Sequence, residues 1–578
     1  MTATTDMMGG HDSGTIAGVD PLVAATMIDP GAPFQREALE RLAMTRQLDR
    51  AAFESLRAAL KSVGCRVGQL DQALAELIGE GRPRRPTQGD ALISVAAEAD
   101  LFHAPDGSAF ADVTVAGHRE TLKIRGREFR RWLTREYFEQ TGSAPSSEAL
   151  LTALNVIEAR AHFDAPERDV NVRVAGADGA IYLDLGTDDW TAVRTVADGW
   201  DLVDRAPVRF YRSAGMQPLP IPERGGSVLQ LRRFLNVTDG SFCLIVAWLV
   251  AALRDYGPYP VLGLIGEQGT AKTTASKIIR ACVDPNVAPV RTLPREDRDL
   301  FIAARNGHIL GFDNISGLQP WIADALCQLA TGTGFASREL YSDTAETIID
   351  ACKPIVLNGI EDVTNRPDLA DRSLILTLEP IPDAERRIER ELWTEFQAER
   401  PRILGALLDA VAHGLRELPT TRLERLPRMA DFAVWATACE GAHSTTGNFL
   451  SAYTHNRDAA ADDVVDADQV AAAIRSAMVS RTVWTQTAAS LLGALSEQVG
   501  DKQSKDKGWP SSARALSGRL RRAAPALRRV GVEITFEREG RARTRTITIS
   551  RSEGGGVQPS APSVPSAQAE FFEDGSES

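Results

Sequence analysis

Cysteine is scarce and dispersed: the six in this 578-residue chain (Cys65, Cys243, Cys282, Cys327, Cys352 and Cys439) include no C-x-x-C pair. That spacing excludes the common zinc-ribbon and dithiol motifs and predicts reduced thiols in a core. His103, His118 and His162 likewise show no metal-ligand spacing. Long apolar runs are missing. The longest, Phe242 to Leu253 (FCLIVAWLVAAL), falls short of the roughly 20 residues that cross a bilayer and predicts a buried helix instead. The first residues, MTATTDMMGGHDSGT, lack the basic start and apolar stretch of a secretory signal, so a cytoplasmic protein with no membrane partner is expected. A positive surplus is absent too: 65 Lys and Arg against 78 Asp and Glu leave a net charge of −13. This argues against a protein that coats DNA nonspecifically, although a net value conceals local patches.

The length implies roughly two to four domains. Residues 1–33, without periodicity, and the Gly/Pro/Ser-rich and finally acidic tail 552–578 are expected to be disordered. Phe571 and Phe572, set among acids, suit a peptide that engages replication partners; an inert solvating tail is the alternative. In residues 34–89, Leu39, Leu42, Leu48, Phe53, Leu56 and Leu60 predict one or two amphipathic helices. Residues 90–222 mix strand signals (ADVTVAG, DVNVRVAG, AIYLDLG) with helical ones, which predicts an α+β accessory domain without a catalytic constellation. A nucleotide-binding core over 223–383, a helical bundle or lid over 384–481 and a compact module over 482–551 complete the chain. Between Lys502 and Arg551 fourteen Lys and Arg stand against four acids, a local excess that the rest of the chain conceals.

The chemistry concentrates after the apolar strand Pro260–Ile265, in Gly266-Glu267-Gln268-Gly269-Thr270-Ala271-Lys272-Thr273-Thr274 and the helical ASKIIRACV. A strand, a Gly-rich turn and a helix direct backbone N–H groups and a helix N-terminus at one anion. In this P-loop reading Lys272 reaches the β- and γ-phosphates of ATP and the Thr273 hydroxyl ligates Mg²⁺. Ala271 stands where the pattern has its second glycine, and alanine fits there without strain only if its φ is negative. A second apolar strand ends at Asp313 (GHILGFDN), forty residues beyond Thr273 and suited to hold Mg²⁺ through its water shell. The next residue, commonly an acid that polarises water, is Asn314. Asparagine takes no proton, so either it only orients water or a carboxylate such as Glu267 or Glu296 serves as base. A third strand, KPIVLN, ends in Asn358, whose amide suits a γ-phosphate sensor.

Walker A, Walker B, a helix, a hairpin, an Asn-terminated strand and an arginine, in that order, resemble a superfamily 3 or closely related AAA+-like helicase. FDNIS, CQLATGTGFASRELYSD, KPIVLNGIEDV and LPRMADFAVWATACEGA are similar to replication ATPases of bacteriophages, plasmids and integrative elements, over roughly residues 200 to 550. The expected fold class is α/β: an AAA+-like P-loop core with the α+β accessory domain, the helical bundle and a winged-helix-like C-terminal module.

The resemblance implies an arginine finger donated to the neighbouring subunit's ATP, with Arg372 the first choice and Arg366 the second. It thereby implies a ring, expected to be a hexamer. It also implies a channel hairpin on which Arg338 pairs with phosphate and Tyr341 stacks on a base or sugar. In the C-terminal module the order helix, helix, hairpin suggests groove or backbone contacts from Arg514, Arg519, Arg521, Arg522 and, at the wing, Arg541. The expected function is an ATP- and Mg²⁺-dependent DNA helicase or translocase. A nucleotide-switched DNA-binding scaffold with weak hydrolysis, and a remodelling ATPase that does not act on DNA, are the alternatives.

Overall fold

The computed structural model describes residues 19–79, 87–315, 317–332, 335–338, 346–349, 351–359, 366–444, 447–539 and 544–551. Residues up to Val95 together with Glu136–Ala153 form one compact unit; Ala96–Arg135 and the chain from Leu154 onward form the other.

The first unit is helical. Helices Pro21–Ile28, Arg36–Leu48, Arg50–Ser62 and Val67–Ile78 bury Leu22, Leu42, Phe53, Leu60, Leu70 and Leu74 together. The first of them lies inside the stretch 1–33 that was expected to lack structure. Asp20 caps it by accepting from the Leu22 N–H at 2.8 Å, and Pro21 presets the first turn. At eight residues it is too short to display a period, so its cap carries the only sequence signal.

The second unit opens with two antiparallel meanders. Asp100–His103, Ala109–Val115 and His118–Lys123 form one; Val174–Ala177, Ala180–Asp184, Ala192–Val196 and Gly199–Val203 form the other. The strand signals read at 111–117 and 180–186 supply strands of these sheets and overrun them by two residues, whereas that read at 169–176 becomes strand only from Val174.

Beyond them lies a four-stranded parallel sheet in the order Ser373–Thr377, Val261–Ile265, Ile355–Asn358, Leu310–Phe312. The strands are nearly continuous apolar runs because helices cover both faces of such a sheet. The run Phe242–Leu253 belongs to the buried helix Asp239–Ala252, whose Trp248 indole N–H donates to the Pro260 carbonyl at 2.8 Å. Register aligns Leu264 with Asn358 and Leu357 with Phe312, so Ile265, Asn358 and Asp313 emerge at one end of the sheet.

Helices Glu389–Glu417, Ala430–Glu440 and Asn448–Ala467 come next. The C-terminal core gathers helices Gln469–Met478, Ala488–Ser504 and Ala513–Arg529 against a sheet ordered Val483–Thr487, Thr544–Arg551, Val532–Glu539. The strand Val483–Thr487 was not anticipated, although its Val, Trp and Thr residues favour strands. Among the described residues no helix is long and apolar enough to cross a membrane, and all six cysteines are free thiols.

Candidate nucleotide site

Strand Val261–Ile265 feeds a turn closed by helix Lys272–Val283. Gly266 and Gly269 adopt φ of 147° and 89°, conformations open to glycine and costly for side chains. A Cβ at Gly266 would also approach the Leu378 carbonyl oxygen to 2.8 Å, so the turn is closed against side chains and leaves its backbone as the lining. Thr270, buried, donates its hydroxyl hydrogen to the Glu267 carbonyl at 2.9 Å and fixes the curl. Lys272 folds over this turn, its Nζ donating to the carbonyls of Gly266 at 2.7 Å and Glu267 at 2.6 Å.

Ala271 does not meet the condition set on it by the sequence. It is left-handed, at φ 62° and ψ 29°, as the cap of helix Lys272–Val283. An L-residue pays roughly 1–2 kcal/mol for that conformation. The turn geometry, closed on both sides by glycine and helix, imposes a backbone that local preference opposes.

Three strand ends meet the helix. The Thr273 hydroxyl donates to Asp313 Oδ1 at 3.1 Å, bridging residues forty apart in sequence. Asn358, 1% exposed, lies on the strand between those of Lys272 and Asp313. Its Oδ1 accepts the Asn314 N–H at 3.0 Å, and its Nδ2 donates to Ser276 Oγ at 3.1 Å, whose own hydrogen goes to the Lys272 carbonyl at 3.0 Å. Asn314 itself is left-handed at φ 55° and its side chain is exposed. Glu267 and Glu296 are exposed as well, and Glu296 occupies the N-cap position of helix Asp297–Asn306 without a side-chain capping bond.

The donor set suits a triphosphate with Mg²⁺. A hydroxyl and a carboxylate oxygen are hard ligands of the kind that cation takes together with phosphate oxygens and water. Among the described residues no group of three or more His, Cys, Asp or Glu side chains could hold a metal on its own.

Sequence reasoning passed over Arg386. One of its guanidinium nitrogens stands 3.7 Å from where a side chain at Gly269 would begin, and its other described contact is an exposed ion pair with Asp383 at 3.1 Å. The doublet Arg386-Arg387 after the last strand was the available signal, but only folding brings it over the turn.

The arginines assigned to a neighbour's ATP lie elsewhere. Arg372 precedes strand Ser373–Thr377 at the sheet end opposite Lys272 and donates to the Asp368 carbonyl at 2.8 Å. Arg366 stands at the N-cap position of the short helix Pro367–Ala370 and lines a cavity of about 350 Å³ with Asp324, Asp368, Arg519 and Arg522. Neither joins the cluster around Lys272 within one chain.

Of the expected DNA contacts, Arg338 ends strand Phe335–Arg338, opposite Glu346 in an antiparallel pair. Tyr341 and Arg541 lie outside the described residues. In the C-terminal helix Arg519 is engaged by Asp468 at 2.8 Å and by the Gly508 carbonyl, Arg521 covers the Phe536 ring at 4.0 Å, and Arg522 faces the cavity beside Arg366. Arg514 is exposed. Part of the basic excess is thus spent on packing within the chain, which periodicity alone did not reveal.

Residues 227–466 match the model of the actinomycete integrative conjugative element replication protein, and residues 470–564 match that of the C-terminal domain of the same family. The two matches span more than half of the chain. The chain belongs to this family of replication proteins. Of the mobile elements named by the resemblance, the match selects the integrative ones. No curated protein matches the sequence. Among solved structures, the A form apo NrS-1 C-terminal region is 11% identical over 79% of this chain and 98% of its own, with a TM-score of 0.36. The structure titled SCCmec type IV Cch, active helicase, is 11% identical over 78% of this chain and 92% of its own, with a TM-score of 0.41. Likeness so remote bears no weight on mechanism.

Proposed function

We propose that this replication protein is an ATP- and Mg²⁺-dependent DNA translocase and helicase built on an AAA+-like P-loop core. The observation that carries the reading is the Thr273–Asp313 hydrogen bond, which unites the residue after Lys272 with the end of the second strand at the mouth of a glycine-lined turn. When bound, the Mg²⁺-nucleotide supplies the phosphoanhydride whose cleavage drives movement. Lys272, whose two acceptors are now backbone carbonyls, would hold phosphate oxygens, and Thr273 and Asp313 would hold the cation. Asn358 accepts the Asn314 N–H and so holds the backbone immediately after Asp313 in place. Arg386 reaches the same turn from within the chain, and Arg372, at the far end of the sheet and held by the Asp368 carbonyl, would serve an adjacent subunit of a ring, with a hexamer as the expected number. DNA is the expected substrate, gripped by the Phe335–Ile349 hairpin and by Arg514 of the winged-helix-like module. A cytoplasmic location fits such a role.

Asn314 favours a second reading, a nucleotide-switched scaffold that hydrolyses slowly, since no carboxylate comes directly after Asp313. Strand displacement decides between them. A fluorescent forked duplex should be unwound with ATP and Mg²⁺ by the intact chain and not by Lys272→Ala; nucleotide-dependent DNA binding without displacement would favour the switch.

A further inference from the structure

The segment Arg119–Arg135 carries seven basic residues and two acids within a chain of net −13. It lies before the residues matched by the family models. Its second half forms the start of helix Arg127–Thr141, which anchors itself through buried Phe129, Trp132 and Leu133. Arg127, Arg130 and Arg131, at spacings of three and four, share the opposite face and are exposed. None of the three side chains makes a hydrogen bond or ion pair with the described residues; Glu128 is the one acid exposed in the same turns, and the other acids nearby already have basic partners. Asp112 is held by Arg209 at 3.0 Å and Arg119 at 3.8 Å, Asp100 by Arg168 at 2.6 Å, and Glu158 by the Arg125 Nε at 2.8 Å. Cations in the first turns of a helix also face the positive end of its dipole, so they contribute nothing to its stability.

We infer that this arginine face binds the phosphate backbone of nucleic acid. Guanidinium groups match phosphate with paired N–H donors, and every exposed residue from Arg127 to Arg135 is polar. A membrane-surface helix would present an apolar stripe outward; here Phe129, Trp132 and Leu133 are consumed by the fold and Phe138 alone of the helix's large apolar residues is exposed. The face adds a second, sequence-independent grip on DNA, separate from the nucleotide core.

The test is fluorescence anisotropy of the full chain with labelled single-stranded and duplex DNA, without ATP, from 50 to 200 mM salt, so that a failure of hydrolysis leaves the result intact. Replacing all three arginines by glutamine should weaken binding about tenfold or more and lower the slope of log affinity against log salt by about 2 to 3, at roughly 0.7–0.9 per lost contact. Replacing them by lysine should preserve the slope. Arg131→Gln alone, the mildest change, should remove about one contact and serves if the triple variant fails to fold. Unchanged affinity and slope would overturn the inference. So would intact DNA binding accompanied by lost binding to phosphatidylserine vesicles or polyglutamate.

Discussion

The Thr273 hydroxyl donates to Asp313 Oδ1 across 3.1 Å, joining the first turn of a helix to the end of a strand two positions away in the sheet. In the proposed site both groups would hold the cation. Thr273→Val keeps the shape and removes the oxygen. It should lower Mg²⁺-dependent turnover by at least about tenfold, a loss of roughly 1.4 kcal/mol in the barrier balance, while nucleotide binding measured without Mg²⁺ stays within about twofold. Equal losses in both would point to misfolding of the turn.

Ala271→Gly should stabilise the protein. Relief of the left-handed conformation is worth roughly 1–2 kcal/mol, and the extra freedom of glycine in the unfolded chain takes back about 0.4–1. The urea midpoint should therefore rise by the equivalent of about 0.5–1 kcal/mol; a fall would mean that the backbone at 271 is not left-handed.

Asn358→Ala leaves the Asn314 N–H without its acceptor and removes the donor to the buried Ser276 hydroxyl, which keeps its own bond to the Lys272 carbonyl. A loss of about 1–3 kcal/mol in stability is expected, together with reduced turnover at saturating nucleotide. Asn358→Asp retains an acceptor for the Asn314 N–H and loses the donor to Ser276, so its damage should be smaller at high Mg²⁺. Denaturant melts paired with steady-state rates check both.

His308 introduces a pH dependence remote from the turn. Burial pushes its imidazole down to about 4, from an ordinary value of 6.5, while its Nε2 contacts the Ala252 carbonyl at 2.6 Å. Between those values the unfolded chain binds a proton that the folded chain refuses, so this contribution is complete above pH 6.5 and is lost as pH falls toward 4. The slope should be about 1.4 kcal/mol per pH unit for one such group. His443, also pushed to about 4 by burial and the nearby charge of His413, adds a second. Urea unfolding at pH 7 and pH 5 should show this loss, and His308→Gln should remove about half of the difference.

The glycine-lined turn, Asp313 and Asn358 were legible because consecutive residues carry them: a strand, a turn and a helix lie together in the sequence, and an apolar run ends in one polar residue. Their order in the sheet was not legible, since strand neighbours are decided by crossover connections. The left-handed Ala271 escaped because alanine's preference is overruled by the closed turn around it. Arg519 and Arg521 looked like a DNA-facing stripe, yet the partners that occupy them, Asp468 and Phe536, come from separate elements. The exposed arginines of helix Arg127–Thr141 were hidden differently, by a net charge that averages over the whole chain.

The most direct measurement is steady-state ATP hydrolysis with Mg²⁺, with and without single-stranded and forked DNA, with Lys272→Ala as the blank. The account predicts hydrolysis that DNA stimulates severalfold and that vanishes in the variant. Hydrolysis indifferent to DNA, or equal in the variant, would contradict it.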